Sequence, residues 1–437
     1  METSKLVSIA RRQDADADKI TPNNLGRLVL EHHQIMSDNS GALYTYTGSY
    51  WERISIHAIR SYAAKYDSEK HTSNRRRDEV AGFIRSTQFK REVQWRNLGA
   101  AEVPFQNGVL DLVTGELRPH RAEDNLETTL PHPWGDPAEC PTWLNALTTY
   151  WGDDADFGAK VDALQEFFGY CLMPHARFKK ALVCVGESDT GKSQIAHVIR
   201  LMVGHQNCSS VSVEDMDDAR KRVPLVGKMV NMLTELTSKA VIADGGFKTL
   251  ISTEESVQMD PKYCDAYSYT PIAKHLIICN DLPTINDRSR GTYNRLLMVR
   301  FNRVLSADAQ DRDFQSKLSA EIQGICQWAV VGAQRLHRNG GMFTAVPESD
   351  SAVREYRESQ NDIFDFINDK CEVDKDGSVP FSEMFEKFLL WVKTGKATRH
   401  SLGRMLKAAG YVVKDEWDGY SKRSRKCVQG LRWQVGA

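Results

Sequence analysis

The sequence predicts an α/β protein with a three-layer core, in which helices cover both faces of a parallel sheet, between an α+β domain and a small helical domain. Three observations indicate this class. Strand-like and helix-like runs alternate from residue 180 to 303, which is typical of parallel sheets. The first of these strands, Ala181 to Val185, leads through a glycine-containing turn into an amphipathic helix-like run. Four prolines between residues 131 and 141 separate this core from the mixed region before it.

Composition sets the broad class. The 437 residues suffice for several domains, and 41% apolar and 26% charged residues are typical of soluble globular proteins. No apolar run is long enough to cross a bilayer and no signal peptide opens the chain, so we expect a cytoplasmic protein without membrane contact. The nine cysteines are scattered singly without a C-x-x-C pair, which predicts reduced thiols instead of disulfides or zinc ligands.

Residues 1–135 are predicted to form the N-terminal α+β domain. Apolar residues recur at helical spacing in three segments, and short alternating runs flank glycine-marked turns in others. The predicted helices cover residues 25–36, 58–66 and 78–89. The predicted hairpins pair residues 42–46 with 50–54 and residues 105–112 with 114–117.

Four segments follow the proline-rich joint. They are a helical collar at 142–178, the α/β core at 179–305, a helical lid at 306–345, and a basic, winged-helix-like C-terminal domain at 346–437. Ligands of parallel sheets bind at the carboxyl ends of the strands, so the residues after each strand are the candidates for function. The predicted core strands are 180–185, 228–234, 274–280 and 296–301, and the predicted core helices are 191–203 and 245–252.

The turn after the first core strand matches the phosphate-binding pattern G-x-x-x-x-G-K-[ST]. Its glycines let backbone N–H groups point at a polyphosphate, and the helix that follows adds a positive dipole end. Lys192 can neutralise the β- and γ-phosphates, and the Ser193 hydroxyl can hold Mg²⁺, so ATP and Mg²⁺ are the expected ligands. The alternative is a plain strand-to-helix turn. The predicted nucleotide-binding residues are Gly186, Glu187, Ser188, Asp189, Thr190, Gly191, Lys192 and Ser193.

Two polar residues follow later core strands. Glu235 ends the run 228–234, where a carboxylate can polarise the attacking water or hold the water shell of the metal. Asn280 ends the run 274–279, where an amide can sense the γ-phosphate. A surface glutamate and a turn-forming asparagine are the alternatives.

Two more features complete the core. Arg295 stands just before the last predicted strand, where it can reach the phosphates of a neighbouring subunit or form a surface ion pair. Lys262 and Tyr263 lie in a predicted hairpin between Glu235 and Asn280. Basic and aromatic side chains suit single-stranded nucleic acid, because charge holds the backbone and rings stack on bases. A packed aromatic hairpin explains them equally well.

The order of these parts resembles that of the superfamily 3 helicases, a branch of the AAA+ ATPases. The segment Asn294 to Phe301 looks like the stretch that carries the arginine finger in papillomavirus helicases. Nearly the whole chain is similar to the helicase half of phage and plasmid primase-helicases, the group related to the poxvirus primase-helicase. Residues 104–111 with 114–117, and 388–391 with Gly395-Lys396, carry this likeness near the two ends.

The resemblance implies an ATP-dependent DNA helicase of a phage, plasmid or mobile element, which acts in replication as a ring, with a hexamer expected. Its partners would be single-stranded and forked DNA, further copies of itself, and a separate primase or polymerase, in the cytoplasm of a bacterial host. The implied roles are phosphate and Mg²⁺ binding for Lys192 and Ser193, water activation and water-mediated metal contact for Glu235, γ-phosphate sensing for Asn280, an arginine finger in trans for Arg295, and DNA contact for Lys262 and Tyr263.

The chain departs from the family pattern in two ways. Thr234 precedes Glu235, whereas many members carry two adjacent acids there, which leaves the outer contacts of the metal open. No carboxylate cluster suits a polymerising domain, so priming by this chain is not expected. Other functions remain open: a small-molecule P-loop kinase, an origin-binding protein that uses ATP only to assemble, and a DNA-packaging motor.

The end of the chain is basic. From Lys387 onward it holds twelve lysines and arginines against three acids, a surplus of nine on a chain whose total net charge is −1. This distribution predicts contact with a polyanion, or else a solvated basic face. Residues 372–383 also fit the spacing of a calcium loop, but Glu replaces Asp at the first ligand position and Pro380 interrupts the loop, so we do not expect calcium there.

Overall fold

A computed structural model of the chain describes residues 21–38, 40–67, 73–236, 241–242, 246–252, 256–262, 265–280, 284–285, 293–306, 311, 313–392, 397–418 and 423–434. Three helices pack on a small antiparallel sheet in the first unit, around Leu25, Val29, Ile59 and Ile84. The sheet confirms the first predicted hairpin, because Tyr46 pairs with Trp51. Its elements are α1 (Pro22–His32), β1 (Ile35–Ser37), β2 (Leu43–Tyr46), β3 (Trp51–Ile54), α2 (Ile56–Tyr66) and α3 (Asn74–Thr87).

A second small sheet and two helices connect this unit to the core. The run 105–112, predicted as one strand, contains a turn at Gln106 and Asn107, so Phe105 pairs with Gly108 and a third strand precedes the predicted hairpin. The sequence pattern missed this turn because both flanking segments are apolar and equally suited to one longer strand. The elements are β4 (Glu102–Phe105), β5 (Gly108–Asp111), β6 (Leu117–Arg118), α4 (Pro141–Trp151) and α5 (Phe157–Leu172).

A five-stranded sheet forms the core, and every neighbouring pair of its strands is parallel. The core elements are β7 (Ala181–Gly186), α6 (Lys192–Val203), β8 (Cys208–Ser209), β9 (Val230–Leu236), β10 (Val241–Ile242), α7 (Gly246–Ser252), β11 (Val257–Met259), β12 (Tyr267–Tyr269), β13 (Lys274–Cys279), β14 (Thr284–Ile285) and β15 (Leu296–Phe301). The strand order is β15-β7-β13-β9-β8, so the phosphate-loop strand lies inside the sheet. All six residues of β13 are buried, as expected for a parallel strand covered on both faces.

The remaining elements are α8 (Phe314–Ala320), α9 (Ile322–Arg338), α10 (Pro347–Lys370), β16 (Cys371–Pro380), α11 (Phe381–Val392), α12 (Arg399–Ala408), β17 (Val413–Asp418) and β18 (Arg423–Trp433). The last three strands form an antiparallel sheet in the order β16-β18-β17, and α10 to α12 pack against it. The calcium-loop spacing falls in strand β16, where Arg432 binds Glu372 at 3.1 Å and Asp374 at 3.6 Å. A helix–loop–helix calcium site is therefore excluded.

None of the helices in the described ranges is both long and apolar enough to cross a bilayer. None of the eight cysteines that the structure describes forms a disulfide.

Two buried histidines predict that mild acid destabilises the protein. Burial lowers the pKa of His175 and of His275 to about 4, from 6.5 in an unfolded chain. Because the unfolded chain binds these protons more tightly, the stabilisation is complete above pH 6.5 and is lost as the pH falls towards 4. We expect the free energy of unfolding, measured in urea, to fall between pH 7 and pH 5 by about 2 kcal/mol per histidine.

The control for this prediction is His175→Gln, because a glutamine amide can still donate to the carbonyl oxygen of Ala100, which lies 3.1 Å from His175 Nε2. This variant should show a smaller pH dependence than the parent protein. An unfolding free energy of the parent that stays constant from pH 7 to pH 5 would contradict the argument.

Candidate nucleotide-binding site

The phosphate loop joins β7 to α6 at the carboxyl edge of the central sheet. A Cβ atom at Gly186 would lie 2.3 Å from the carbonyl oxygen of Phe301 on the adjoining strand. Gly191 has a φ of +94°, and a Cβ atom there would lie 2.4 Å from the ring of Tyr150. A larger residue at either position would clash with a neighbouring strand or helix. Packing of the fold therefore explains the two glycines as well as phosphate binding does.

Lys192 is the first residue of α6, and its side chain folds back into the loop. Its Nζ atom donates to the carbonyl oxygen of Gly186 at 2.8 Å, to that of Glu187, and to Thr190 Oγ1 at 3.2 Å. Only 6% of the residue is exposed, and this burial lowers the pKa of Lys192. The ammonium group is therefore fixed inside the loop, where it can meet the oxygens of a polyphosphate.

The other residues of the motif surround this ammonium group. Ser193 is exposed at the second position of α6, whose amino end faces the loop and favours negative charge. Thr190 is buried, and its hydroxyl donates to the carbonyl oxygen of Glu187 at 2.9 Å. Asp189 has a φ of +58°, and its carbonyl oxygen accepts a hydrogen bond from the backbone of Leu305 at 2.8 Å. Binding of a polyphosphate in this loop, with a metal ion at the Ser193 hydroxyl, stays a prediction.

The two polar residues predicted at neighbouring strand ends lie on the same edge. Asn280 directly follows β13, which pairs with β7, and it is exposed. Glu235 is the residue before the last in β9, and Leu236 pairs with Cys279 at the end of β13. The backbone thus brings both positions to the edge that carries the phosphate loop. The side chain of Glu235 lies outside the described residues, and both catalytic roles stay predictions.

Arg295 lies at the amino end of the parallel strands, opposite to the carboxyl end that carries the phosphate loop. It precedes β15, whose first residue pairs with Ala181 at the start of β7, and its carbonyl oxygen accepts from Ala181 N at 2.8 Å. The six residues of β7 therefore separate Arg295 from the phosphate loop by roughly 17 Å, since a strand rises about 3.3 Å per residue. Arg295 Nη1 is buried and has no hydrogen-bond partner among the described residues. Arg295 cannot act on the loop of its own chain.

The predicted DNA-contacting hairpin is formed by β11 and β12, in which Met259 pairs with Tyr267. Lys262 lies exposed in the segment that joins the two strands, whereas Tyr263 lies outside the described residues. Where the connecting segment begins, Asp260 accepts from Arg220 Nε at 2.7 Å. The hairpin is confirmed, and contact with DNA stays a prediction.

A buried cluster that the sequence analysis missed fixes the other end of this hairpin to the segment before the collar. The Tyr269 hydroxyl accepts from Arg96 Nη1 at 3.0 Å and donates to Glu127 at 3.2 Å. Arg96 also pairs with Glu127, and its Nη2 donates to the carbonyl oxygen of Thr270 at 3.0 Å. Arg96 and Tyr269 are 173 residues apart, so no periodicity or spacing rule could have found the cluster.

The collar helix α4 supports the phosphate loop, which the sequence analysis also missed. Tyr150 packs against Gly191, and the Trp151 indole Nε1 donates to the carbonyl oxygen of Arg300 at 2.9 Å. Burial raises the pKa of Tyr150 to about 12, so it stays neutral. The sequence does show two adjacent aromatic residues, Tyr150 and Trp151, at the end of an apolar helix. It does not show which part of the chain they contact.

One group of carboxylates in the described part of the chain could hold a metal ion, namely Asp154, Asp156 and Glu348. The ammonium of Lys160 already binds all three, at 2.5 Å from Asp154, at 3.3 Å from Asp156, and in a closer contact with Glu348. Lys160 is buried and its pKa is raised by these partners against the opposing effect of burial. The cluster is a structural ion-pair network.

Two family descriptions match parts of the chain. Residues 27–152 match a family described as "D5 N terminal like", and residues 184–295 match a "Family of unknown function (DUF5906)". The second match covers the phosphate loop from Cys184 and ends at Arg295.

Curated relatives are viral proteins. The chain is 21% identical over 328 residues to "Putative helicase 121R" of Invertebrate iridescent virus 3, and 22% identical over 337 residues to "Putative helicase 184R" of Invertebrate iridescent virus 6. Each alignment covers 66% of this chain and 34% of the relative, so the chain spans about a third of the length of these proteins.

Solved structures with the same fold include that described as "The A form apo structure of NrS-1 C terminal region-CTR". It superposes with a TM-score of 0.53 at 12% identity, and the alignment covers 94% of this chain and 100% of that one. A second structure of the same region, residues 305–718, gives a TM-score of 0.51 at 12% identity and covers 94% and 99%. The likeness in fold therefore extends over nearly the whole chain.

Proposed function

We propose that this chain is an ATP-dependent DNA helicase of superfamily 3, within the AAA+ group, and that it works in replication as a ring of identical subunits. The observation that carries the proposal is the phosphate loop. Its buried Lys192 ammonium lies at the carboxyl edge of a parallel sheet, next to the strand ends that bear Glu235 and Asn280. The viral relatives described as helicases support the choice of DNA as the polymer acted on.

Each residue of the site has a chemical role in this proposal. Lys192 neutralises charge that develops on the β- and γ-phosphate oxygens of ATP, and the Ser193 hydroxyl holds the metal ion. Mg²⁺, when bound, would supply positive charge that offsets the negative charge of the phosphates. Glu235 polarises the attacking water, and the Asn280 amide orients it against the γ-phosphate. The hairpin of β11 and β12 carries Lys262 and transmits the energy of hydrolysis to DNA. Along the chain, this hairpin follows β9, which contains Glu235, and precedes β13, which Asn280 follows.

The position of Arg295 supports the proposal of a ring. Since this residue lies at the edge away from its own phosphate loop, a finger function requires the loop of a neighbouring copy. A ring supplies every loop with such a neighbour. A hexamer is the assembly that we propose.

Steady-state ATP hydrolysis with and without single-stranded DNA tests the proposed function. We expect a 30-nucleotide strand to raise the rate severalfold, and we expect a forked duplex to be separated only when ATP and Mg²⁺ are both present. A rate that DNA leaves unchanged would contradict the helicase proposal. Assembly on DNA without strand separation would support the ATP-dependent assembly protein instead, and a phosphorylated small acceptor would support a kinase.

A further inference from the structure

A second polar surface lies in the C-terminal domain, away from the phosphate loop. A cavity of about 1190 Å³ opens between helix α12 and the hairpin of β17 and β18. We call this cavity the basic groove, because its lining includes the five cations Arg399, Arg404, Lys407, Arg425 and Lys426. All five residues are exposed.

The sequence of α12 produces this surface. Arg399, Gly403, Arg404 and Lys407 follow one another at helical spacing and share the face that lines the groove. The adjoining face holds residues such as Leu402 and Leu406, which are fully buried in the domain core. Burial of the apolar face therefore fixes the cationic face towards the groove.

Five cations line the groove, and Asp415 and Glu416 lie opposite Lys426 and Arg425 in the pairing of β17 with β18. No aspartate or glutamate belongs to its lining. Among the described residues, Arg404, Lys407 and Lys426 form no ion pair, whereas Arg432 in the same domain binds two carboxylates. Cations held side by side repel one another, and a polyanion that enters the groove relieves this repulsion.

The shape of the groove and the exposure of its aromatic side chains favour a duplex over a single strand. A single strand is held by exposed aromatic rings that stack on its bases. The aromatic rings of Phe381 and Tyr411 in the lining are both partly buried, and the highly exposed Trp417 lies outside the lining, further along β17. A helix that presents cations on one face, beside a two-stranded ribbon, instead suits a duplex, whose major groove is about 12 Å wide.

We propose that the basic groove binds the sugar–phosphate backbone of duplex DNA, with α12 towards the duplex. This contact is separate from the hairpin that carries Lys262, and it does not require ATP hydrolysis. The chain would then hold the duplex with its C-terminal domain while its core acts on one strand. Because phosphate contacts carry no sequence information, the groove contributes affinity and position instead of base selection.

The first test compares Gly403→Glu with Gly403→Gln in the full chain. A Cβ atom at Gly403 would contact only ring carbons of Phe381, at 3.8 and 4.0 Å, which is ordinary van der Waals distance. Both side chains therefore fit, and they differ only in charge. By fluorescence anisotropy with a 20-base-pair DNA duplex, without nucleotide, we expect Gly403→Glu to bind roughly tenfold more weakly than Gly403→Gln.

The second test uses the salt dependence of duplex binding. Each phosphate contact adds about 0.9 to the slope of log affinity against log salt concentration, so Arg404→Ala with Lys407→Ala should reduce the slope by roughly 2. The matched control is Arg75→Ala with Arg76→Ala, which removes the same charge from two exposed positions of α3 in the first unit. This control should leave the slope close to that of the parent protein.

Three results of the binding experiments would contradict the proposal that the groove binds duplex DNA. Equal duplex affinity of the two Gly403 variants would exclude the groove as a phosphate site. A larger effect on a 20-nucleotide single strand than on the duplex would assign the groove to the unwound strand, and tighter binding of duplex RNA than of duplex DNA would assign it to RNA. ATP hydrolysis without DNA should be unchanged in both Gly403 variants, so failure here is distinguishable from failure of the helicase proposal.

Discussion

Replacing Lys192 with alanine is expected to lower kcat/KM for ATP hydrolysis by at least about a hundredfold, the range seen when one charge-stabilising donor is removed from an active site. The Lys192 ammonium is held inside the loop by Gly186, Glu187 and Thr190. Residues 186–193 contain no other lysine or arginine that could replace it. The measurement is phosphate release at saturating Mg²⁺, with and without single-stranded DNA.

The control for the Lys192 prediction is Lys317→Ala. Lys317 is exposed and pairs with Asp311 at 2.5 Å, so its loss removes the same charge from a surface ion pair. We expect this variant to keep the parent rate, because exposed pairs contribute little to stability. A Lys192→Ala protein that hydrolyses ATP at the parent rate would remove the observation on which the proposed function rests.

Replacing Arg295 with alanine should lower the rate of ATP hydrolysis by about a thousandfold or more, since an arginine that stabilises the transferred phosphoryl group contributes 10³ to 10⁵ in kcat. The loss should appear although Arg295 lies at the edge of the sheet opposite to its own phosphate loop. ATP binding should persist, because the loop and Lys192 are intact in this variant. Hydrolysis and equilibrium binding of a fluorescent ATP analogue measure the two effects separately.

Mixing the two inactive proteins tests whether the site is shared between subunits. A ring that contains both Lys192→Ala and Arg295→Ala subunits includes some interfaces at which an intact loop faces an intact arginine. We therefore expect the mixture to regain a measurable part of the parent rate, with a maximum near equal proportions. Mixtures of Lys192→Ala with a protein that carries both substitutions cannot form an intact interface and serve as the control. Activity that never exceeds that of the separate variants would contradict a shared site.

The fold of the core was predictable because short-range patterns specify it. The strands after residue 180 are apolar runs that suit burial on both faces, and the phosphate-loop motif places a turn and a helix start at defined residues. Strand β8, which is only two residues long, was missed because so short a run carries no periodicity. The predicted helical collar at 142–178 contains two helices, since Gly152 follows α4 and Asp154 and Asp156 bind Lys160.

The candidate site was predictable only in part. The eight residues of the loop are contiguous, so their proximity needed no tertiary information. The support of Gly191 by Tyr150, and the cluster of Arg96 with Tyr269, join residues far apart in the chain. Such contacts depend on how helices and hairpins pack, and a single sequence holds no local pattern that encodes them.

Local patterns in the sequence predicted the candidate phosphate loop, the candidate residues at the strand ends and the basic character of the last fifty residues, because each depends on neighbours within a few positions. The strand order, the placement of Arg295 at the amino end of the strands and the closing of α12 and a hairpin around the basic groove became known only from the folded chain. Strand pairing and side-chain packing join segments that are distant along the chain. Their free energies therefore depend on the whole fold and not on local propensity.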